Sequence, residues 1–285
     1  MNPVRNRGLI INDVITKKRS KVLSSNATSR EIFSYRCPIS NGMKNLLIYI
    51  SPDKKFSEEC NILAKIQIDN SFELGWRKED ILLVTNFNYE YHDVKANVIS
   101  GDTYYPLIPE ATKVLTLAYL LEQGMVEKEH IYWLHDFDAY QMEIINESEL
   151  NLGTKDIALT DYGWKNQLNT GSIFLRESSR DIFQLIKDLV YEHGNLDEEE
   201  VLALVSENNK NHFNSRYKRL NVTYNINTQD IPFNYKRADK PLKVIHFHPT
   251  DRREIVDAFI SGRNELGFPL MTKRLIDLFK HHGIT

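Results

Sequence analysis

Two cysteines in 285 residues, Cys37 and Cys60, are too few to staple a fold, and their spacing matches no metal motif. They read as reduced thiols, as expected of a cytoplasmic protein. Long apolar runs are missing as well. No stretch approaches the roughly 20 residues that cross a bilayer, and the basic N-terminus from Met1 to Lys21 lacks the apolar core of a secretory signal. No transmembrane anchor is therefore expected, and the sequons at Asn26, Asn146 and Asn221 read as chance matches. Excess charge of one sign is also absent. With 36 basic and 39 acidic residues the net charge is −3, which gives no global nucleic-acid signature. Repeats and low-complexity linkers are lacking, so a single domain with additions at either end is the simplest partition.

What is present divides into three parts: residues 1–44, 45–249 and 250–285. The first carries Arg5, Arg7, Lys17, Lys18, Arg19, Lys21, Arg30, Arg36 and Lys44 against only Asp13 and Glu31. Such a segment is either a solvated basic extension or an arm that docks a polyanion. From Asn45 an α/β rhythm begins. Leu46 to Ile50, Ile81 to Val84 and Ile131 to Leu134 are short apolar runs of the kind that form buried strands. Between them Phe56 to Ile68 reads as a helix, and a second helix opens at Pro109 and stops at Gly124. Further on, Ile157 to Thr160 and Ser172 to Leu175 read as strands. Helices are expected over Ser179 to His193 and Asp197 to Ser206, with Asp197 as an N-cap. The strand Val244 to Phe247 and two helices starting near Thr250 and Pro269 complete the chain. Strands alternating with helices predict a mainly parallel sheet covered on both faces.

Chemistry concentrates where one apolar strand ends. Ile131-Tyr132-Trp133-Leu134-His135 runs straight into Asp136-Phe137-Asp138. Open α/β sheets bind ligands at the carboxyl ends of their strands. If the backbone stays extended, a period of two turns Asp136 and Asp138 to one side and Phe137 away. Paired hard oxygen ligands suit Mg²⁺ or Mn²⁺. A second candidate is Val244-Ile245-His246-Phe247-His248, where alternation sets His246 and His248 on one face and either could complete the coordination. A third is Asn169-Thr170-Gly171, whose small and amide-bearing residues let a backbone approach a ligand.

In this order the pieces resemble the GT-A glycosyltransferases, and most nearly the glycogenin-like family 8 enzymes. The matching residues are Leu46 to Ile50, Asp136 and Asp138, Asn169 and Gly171, Asp197-Glu198-Glu199, and His246-Phe247, across residues 45–249. The resemblance implies a GT-A fold, Rossmann-like, with a mainly parallel mixed sheet flanked by helices. It further implies a Mn²⁺- or Mg²⁺-dependent glycosyltransferase using a nucleotide-sugar donor, by resemblance a UDP-sugar. Ser51, Pro52 and Asp53 would lie near base and ribose, and the Asp161-Tyr162 pair, Asn169 and Gly171 near the donor sugar. The family's lysine that supports the leaving diphosphate is absent here, and Arg252 or Arg253 would stand in for it. If the enzyme inverts, Asp197 and Glu198 are the candidates to take the acceptor proton. The acceptor stays open between a glycan, a lipid-linked sugar, a protein and modified DNA. A nucleotidyltransferase would use similar carboxylates but normally shows a glycine-rich loop, where this chain has Ser51-Pro52-Asp53-Lys54-Lys55. A decayed GT-A binding module is the remaining alternative.

Overall fold

The computed structural model describes residues 42–163, 167–229, 231–247 and 253–284. His248, Arg252 and most of the basic N-terminal segment lie outside the described residues. In chain order the elements are β1 (Met43–Tyr49), α1 (Glu58–Glu73), β2 (Ile81–Thr85), β3 (Glu90–Tyr91), β4 (Val94–Lys95), β5 (Asn97–Val98), α2 (Thr112–Glu122), β6 (Ile131–His135), β7 (Ala139–Gln141) and α3 (Glu147–Leu150). There follow β8 (Ile157–Asp161), β9 (Leu168–Leu175), α4 (Arg180–His193), α5 (Glu198–Glu207), α6 (Phe213–Arg216), β10 (Tyr217–Arg219), β11 (Ile226–Asn227), α7 (Ile231–Arg237), β12 (Val244–His246), α8 (Arg253–Ser261) and α9 (Lys273–His281).

Seven strands form the central sheet in the order β10-β8-β9-β6-β1-β2-β5. All neighbours pair in parallel except β9, which runs antiparallel to both β6 and β8. The expected mixed, mainly parallel α/β sheet is the one observed. Leu47, Leu83, Leu134, Ala158 and Phe174 are fully or almost fully buried, as strands covered on both faces require. On one face α2, α4 and α5 pack over Leu46, Leu134, Leu159 and Leu175. The other face carries Trp76, Trp133 and Phe174, with α1 laid across it. A smaller sheet, β11-β12-β7, sits over a third apolar cluster that includes Phe247 just after β12 and Leu275 and Phe279 of the C-terminal segment.

Local signals explain most boundaries. Ser57 caps α1 by accepting from Cys60 N, so the helix starts at Glu58 and runs five residues beyond the expected Ile68. Asp197 and Glu200 form a reciprocal capping box at the start of α5. Gly194 ends α4 in the left-handed conformation, at φ 67°. Thr272 caps the last helix, placing its start later than Pro269 suggests. Among the described residues, no helix is long and apolar enough to cross a membrane.

Candidate metal and donor site

Strand register assembles the site. The strand β6 ends at His135, so Asp136, Phe137 and Asp138 form a turn, closed by Ala139 N donating to Asp136 O at 3.1 Å. Both aspartates reach one point because the chain turns, not because it stays pleated as the sequence suggested. Two devices hold that turn. The buried Gln67 amide of α1 donates to the carbonyls of Phe137 and Ala139, each at 2.9 Å. Phe137 packs edge-on against Tyr49 and Phe56, with centroids at 5.9 and 6.1 Å. The turn is thus anchored from behind.

The chain then re-enters as β7, and β12 pairs with it antiparallel so that His246 lies opposite Ala139. Phe247 N donates to Asp138 O at 3.0 Å. This register delivers the His246 ring to the aspartates, with Nε2 at 3.4 Å from Asp138 Oδ1 and 3.7 Å from Asp136 Oδ2. Three potential ligand atoms, one from each residue, all lie within 4.8 Å of one another. Gly171, on the antiparallel β9, makes room for the ring. A Cβ there would sit 2.1 Å from His246 Cε1 and 2.3 Å from Nδ1.

The imidazole itself provides the test of whether a cation fits. His246 is buried, yet neither ring nitrogen makes a hydrogen bond among the described residues. Buried nitrogens without partners are costly. A ring aimed at two carboxylates with its nitrogens unsatisfied suits a metal ligand. Octahedral Mg²⁺ or Mn²⁺ gathers ligands at about 2.1 Å, so a modest contraction of these three groups suffices. The donor set fits the cation.

Sequence reasoning missed Lys113, the lone charge between Thr112 and Leu121 in a helix that is otherwise mostly buried. Its Nζ lies 2.5 Å from Asp136 Oδ1 and 3.0 Å from Thr170 O, with Glu198 Oε1 at 3.9 Å. The ammonium occupies one carboxylate oxygen of Asp136 and leaves Oδ2 toward His246. Burial alone would lower the Lys113 pKa, but the Asp136 and Glu198 charges outweigh it and raise it. Reciprocally, burial pushes Asp136 up while Lys113 and His246 pull it below the usual carboxylate range. The lysine is charged and the aspartate ionised. A lysine isolated within an apolar helix was the available signal.

The remaining expected residues fall in several places. Ser51, Pro52 and Asp53 form the loop after β1, where Ser51 exchanges hydrogen bonds with the Asn86 side chain at 2.8 and 3.1 Å. Asn169 turns inward, accepting from Gly171 N at 2.8 Å and from Asn225 Nδ2 at 2.7 Å. Asp161 closes β8 and pairs with Arg219 and Arg237. Asp197 accepts from Glu200 N at 2.8 Å, so its carboxylate is engaged as the cap of α5. Glu198 is buried beside Thr170 Oγ1 at 3.1 Å, and its Oε2 has no partner among the described residues. Burial and the Asp136 charge raise the Glu198 pKa, and Lys113 restrains the rise. Glu199 accepts from Tyr162, Gln167 and Thr170 N, tying β9 to α5. Of these two candidates, Asp197 caps the helix and Glu198 lies beside Lys113 and Thr170.

No protein-family model and no curated protein matches this chain. Solved structures do. An active-site mutant of the enzyme LgtC superposes with a TM-score of 0.53 at 11% identity, covering 84% of this chain and 96% of that one. The galactosyltransferase LgtC in complex with donor and acceptor sugar analogues gives 0.51 over the same shares, also at 11% identity. The glycosyltransferase GlyE of Streptococcus pneumoniae TIGR4 gives 0.52 at 13% identity, covering 85% of this chain and 61% of that one. At such identities the likeness is one of fold. The chain has the GT-A architecture of glycosyltransferases.

Proposed function

We propose that this protein is a divalent-metal-dependent glycosyltransferase that takes a sugar from a nucleotide diphosphate donor, by family resemblance a UDP-sugar. The carrying observation is the buried His246 ring, with neither nitrogen hydrogen-bonded, aimed at Asp136 and Asp138 on the carboxyl edge of a GT-A sheet. Ligands of α/β sheets gather at that edge. The likeness to LgtC, crystallised with donor and acceptor sugar analogues, supports the same reading.

Asp136, Asp138 and His246 would hold Mn²⁺ or Mg²⁺, which when bound supplies Lewis-acid stabilisation of the departing diphosphate. Lys113 positions the Asp136 carboxylate and offsets the negative charge that Asp136 and Glu198 concentrate in a buried site. Gly171 gives His246 its place. The loop Ser51 to Asp53, pinned by Asn86, borders the end of the sheet where a base and ribose would lie. Glu198, with a free oxygen and raised basicity, is the carboxylate available to an incoming or transferred sugar hydroxyl.

The test is thermal stability with a panel of nucleoside diphosphates, with and without Mn²⁺, for wild type and Asp138→Asn. A ligand present at about 100 times its Kd adds about 2.7 kcal/mol of stability. Stabilisation by one diphosphate that needs Mn²⁺ and disappears in the variant is expected. No shift with any nucleotide would overturn the reading.

A further inference from the structure

Two strands from the metal ligands, the same edge of the sheet carries a second group of side chains. Asp161 ends β8, and Arg219 ends β10, which pairs in parallel with β8. With neighbouring strands about 4.8 Å apart, this corner lies about 10 to 15 Å along the edge from β6 and Asp136. Arg219 pairs with Asp161 Oδ2 and is more than half exposed, at 59%. Arg237, in the last turn of α7, holds its Nη2 3.6 Å from Asp161 Oδ1, beyond hydrogen-bond reach. One carboxylate thus faces two guanidiniums, and part of it is already used by Gly163 N at 2.8 Å.

The Arg237 head is seated, not loose. Its Nη1 is buried without a hydrogen-bond partner among the described residues, as are Asn234 Oδ1 on the same helix and Tyr217 Oη on β10. Gly163 opens the seat. At φ 85° it lies in the region that favours glycine, and a Cβ there would stand 1.4 Å from Arg237 Nη1. Phe233, one helical turn before Arg237, is 46% exposed, with the guanidinium 5.3 Å from its ring centre. Lys236 is exposed on the same turn. The corner therefore offers two guanidiniums that share one carboxylate, an exposed lysine and a solvent-facing aromatic ring.

We infer that this corner is the acceptor subsite, and that the acceptor is a sugar carrying an anionic oxyacid group, held by Arg219 and Arg237 with its ring against Phe233. Guanidiniums are the side chains best matched to phosphate and carboxylate oxygens. Aromatic faces accept the apolar side of a pyranose while leaving its hydroxyls in water. The corner lies on the same edge of the sheet as Asp136 and two strands away from β6, so a ligand held there lies beside the donor site and not within it. The inference rests on the proposed glycosyltransferase reading, because only that reading requires an acceptor beside the donor site.

The experiment measures binding by calorimetry to the full chain without metal, so that the donor site contributes nothing. The probes are glucose 6-phosphate, glucuronate, inorganic phosphate and glucose, each up to about 10 mM, the range for weak subsites. Glucose 6-phosphate is expected to bind at least about tenfold more tightly than glucose. Arg219→Gln and Arg237→Gln should each remove that preference, and Arg237→Lys should keep part of it. Equal binding of glucuronate identifies a general anion site, and its failure identifies a phosphate site. Phe233→Ala should weaken glucose 6-phosphate but not inorganic phosphate. In parallel, Mn²⁺-dependent binding of UDP should be the same in wild type and the arginine variants. Its loss in the wild type would sink the glycosyltransferase reading, and its loss only in the variants would assign the arginines to the donor. Equal affinity for glucose and glucose 6-phosphate, no binding of the latter, or a preference that survives both glutamine variants would overturn the subsite.

Discussion

Gly171→Ala isolates the geometry on which the proposed metal site depends. Gly171 lies within β9 at an ordinary strand φ, so alanine is compatible with the backbone. The new Cβ, however, would stand 2.1 Å from His246 Cε1, where ordinary contact begins near 3.4 Å. The ring must retreat by about 1.3 Å, and no hydrogen bond to its nitrogens resists the movement. Overpacking of this kind costs about 1–3 kcal/mol, and loss of unfolded-chain entropy returns about 0.4–1 kcal/mol. The net cost is no more than about 3 kcal/mol, a lowering of Tm by less than about 10 °C in a chain of this size. The functional cost is larger. A coordination bond of about 2.1 Å does not survive such a displacement, so Mn²⁺ affinity should fall by more than the 10–100-fold typical of disturbing an outer partner. The assay is a Mn²⁺ titration followed by thermal denaturation. In a His246→Ala background the same substitution should cost almost nothing, because the overlap is gone. A Gly171→Ala protein that binds Mn²⁺ like the wild type would refute the reasoning.

Three further outcomes follow from the same structure. Lys113→Met leaves Asp136 and Glu198 buried without their cation, so stability should fall by about 3–5 kcal/mol, and Mn²⁺ should recover more Tm than it adds to wild type. An unchanged Tm would contradict the role given to Lys113. Glu198→Gln should lower turnover by about 100-fold with donor binding intact if its free oxygen takes a proton, whereas matching loss from Asp197→Gln would contradict the division of roles. Far from the site, burial pushes the Asp80 pKa up, but hydrogen bonds from Arg77 and Lys44 outweigh it and hold it below its usual value. Its contribution, about 1–2 kcal/mol given the solvent around Arg77, is present above the unfolded pKa near 4 and lost as pH falls through the lower folded value. The Tm difference between wild type and Asp80→Asn should therefore be open at pH 7 and close below about pH 4; a gap that persists in acid would contradict it.

Much of this was legible from the chain. The apolar runs at Leu46, Ile81 and Ile131 became β1, β2 and β6 because strands buried on both faces need unbroken apolar sequence. Asp197 read correctly as a cap because short acidic side chains satisfy the first free amides of a helix. Other features carry no local signal. The antiparallel direction of β9 is a property of connection, and its residues are as uniformly buried as those of its parallel neighbours. Strands β7 and β11 are only three and two residues long, too short for periodicity to reveal. The turn at Asp136 to Asp138 is held by Gln67, some 70 residues away in sequence. Lys113 meets Asp136 only through the packing of α2 on the sheet, although its isolation among apolar residues was a clue. His246 was singled out by its sequence, but its approach to the aspartates depends on the β7–β12 register.

The central claim is that Asp136, Asp138 and His246 bind one divalent cation that receives the donor diphosphate. Electron spin-echo spectroscopy of the Mn²⁺-loaded protein tests it most directly. The account predicts a coupling from one imidazole nitrogen that disappears in His246→Ala, and a phosphorus coupling that appears when UDP is added. Bound Mn²⁺ showing only water couplings, or a nitrogen coupling that survives His246→Ala, would contradict it.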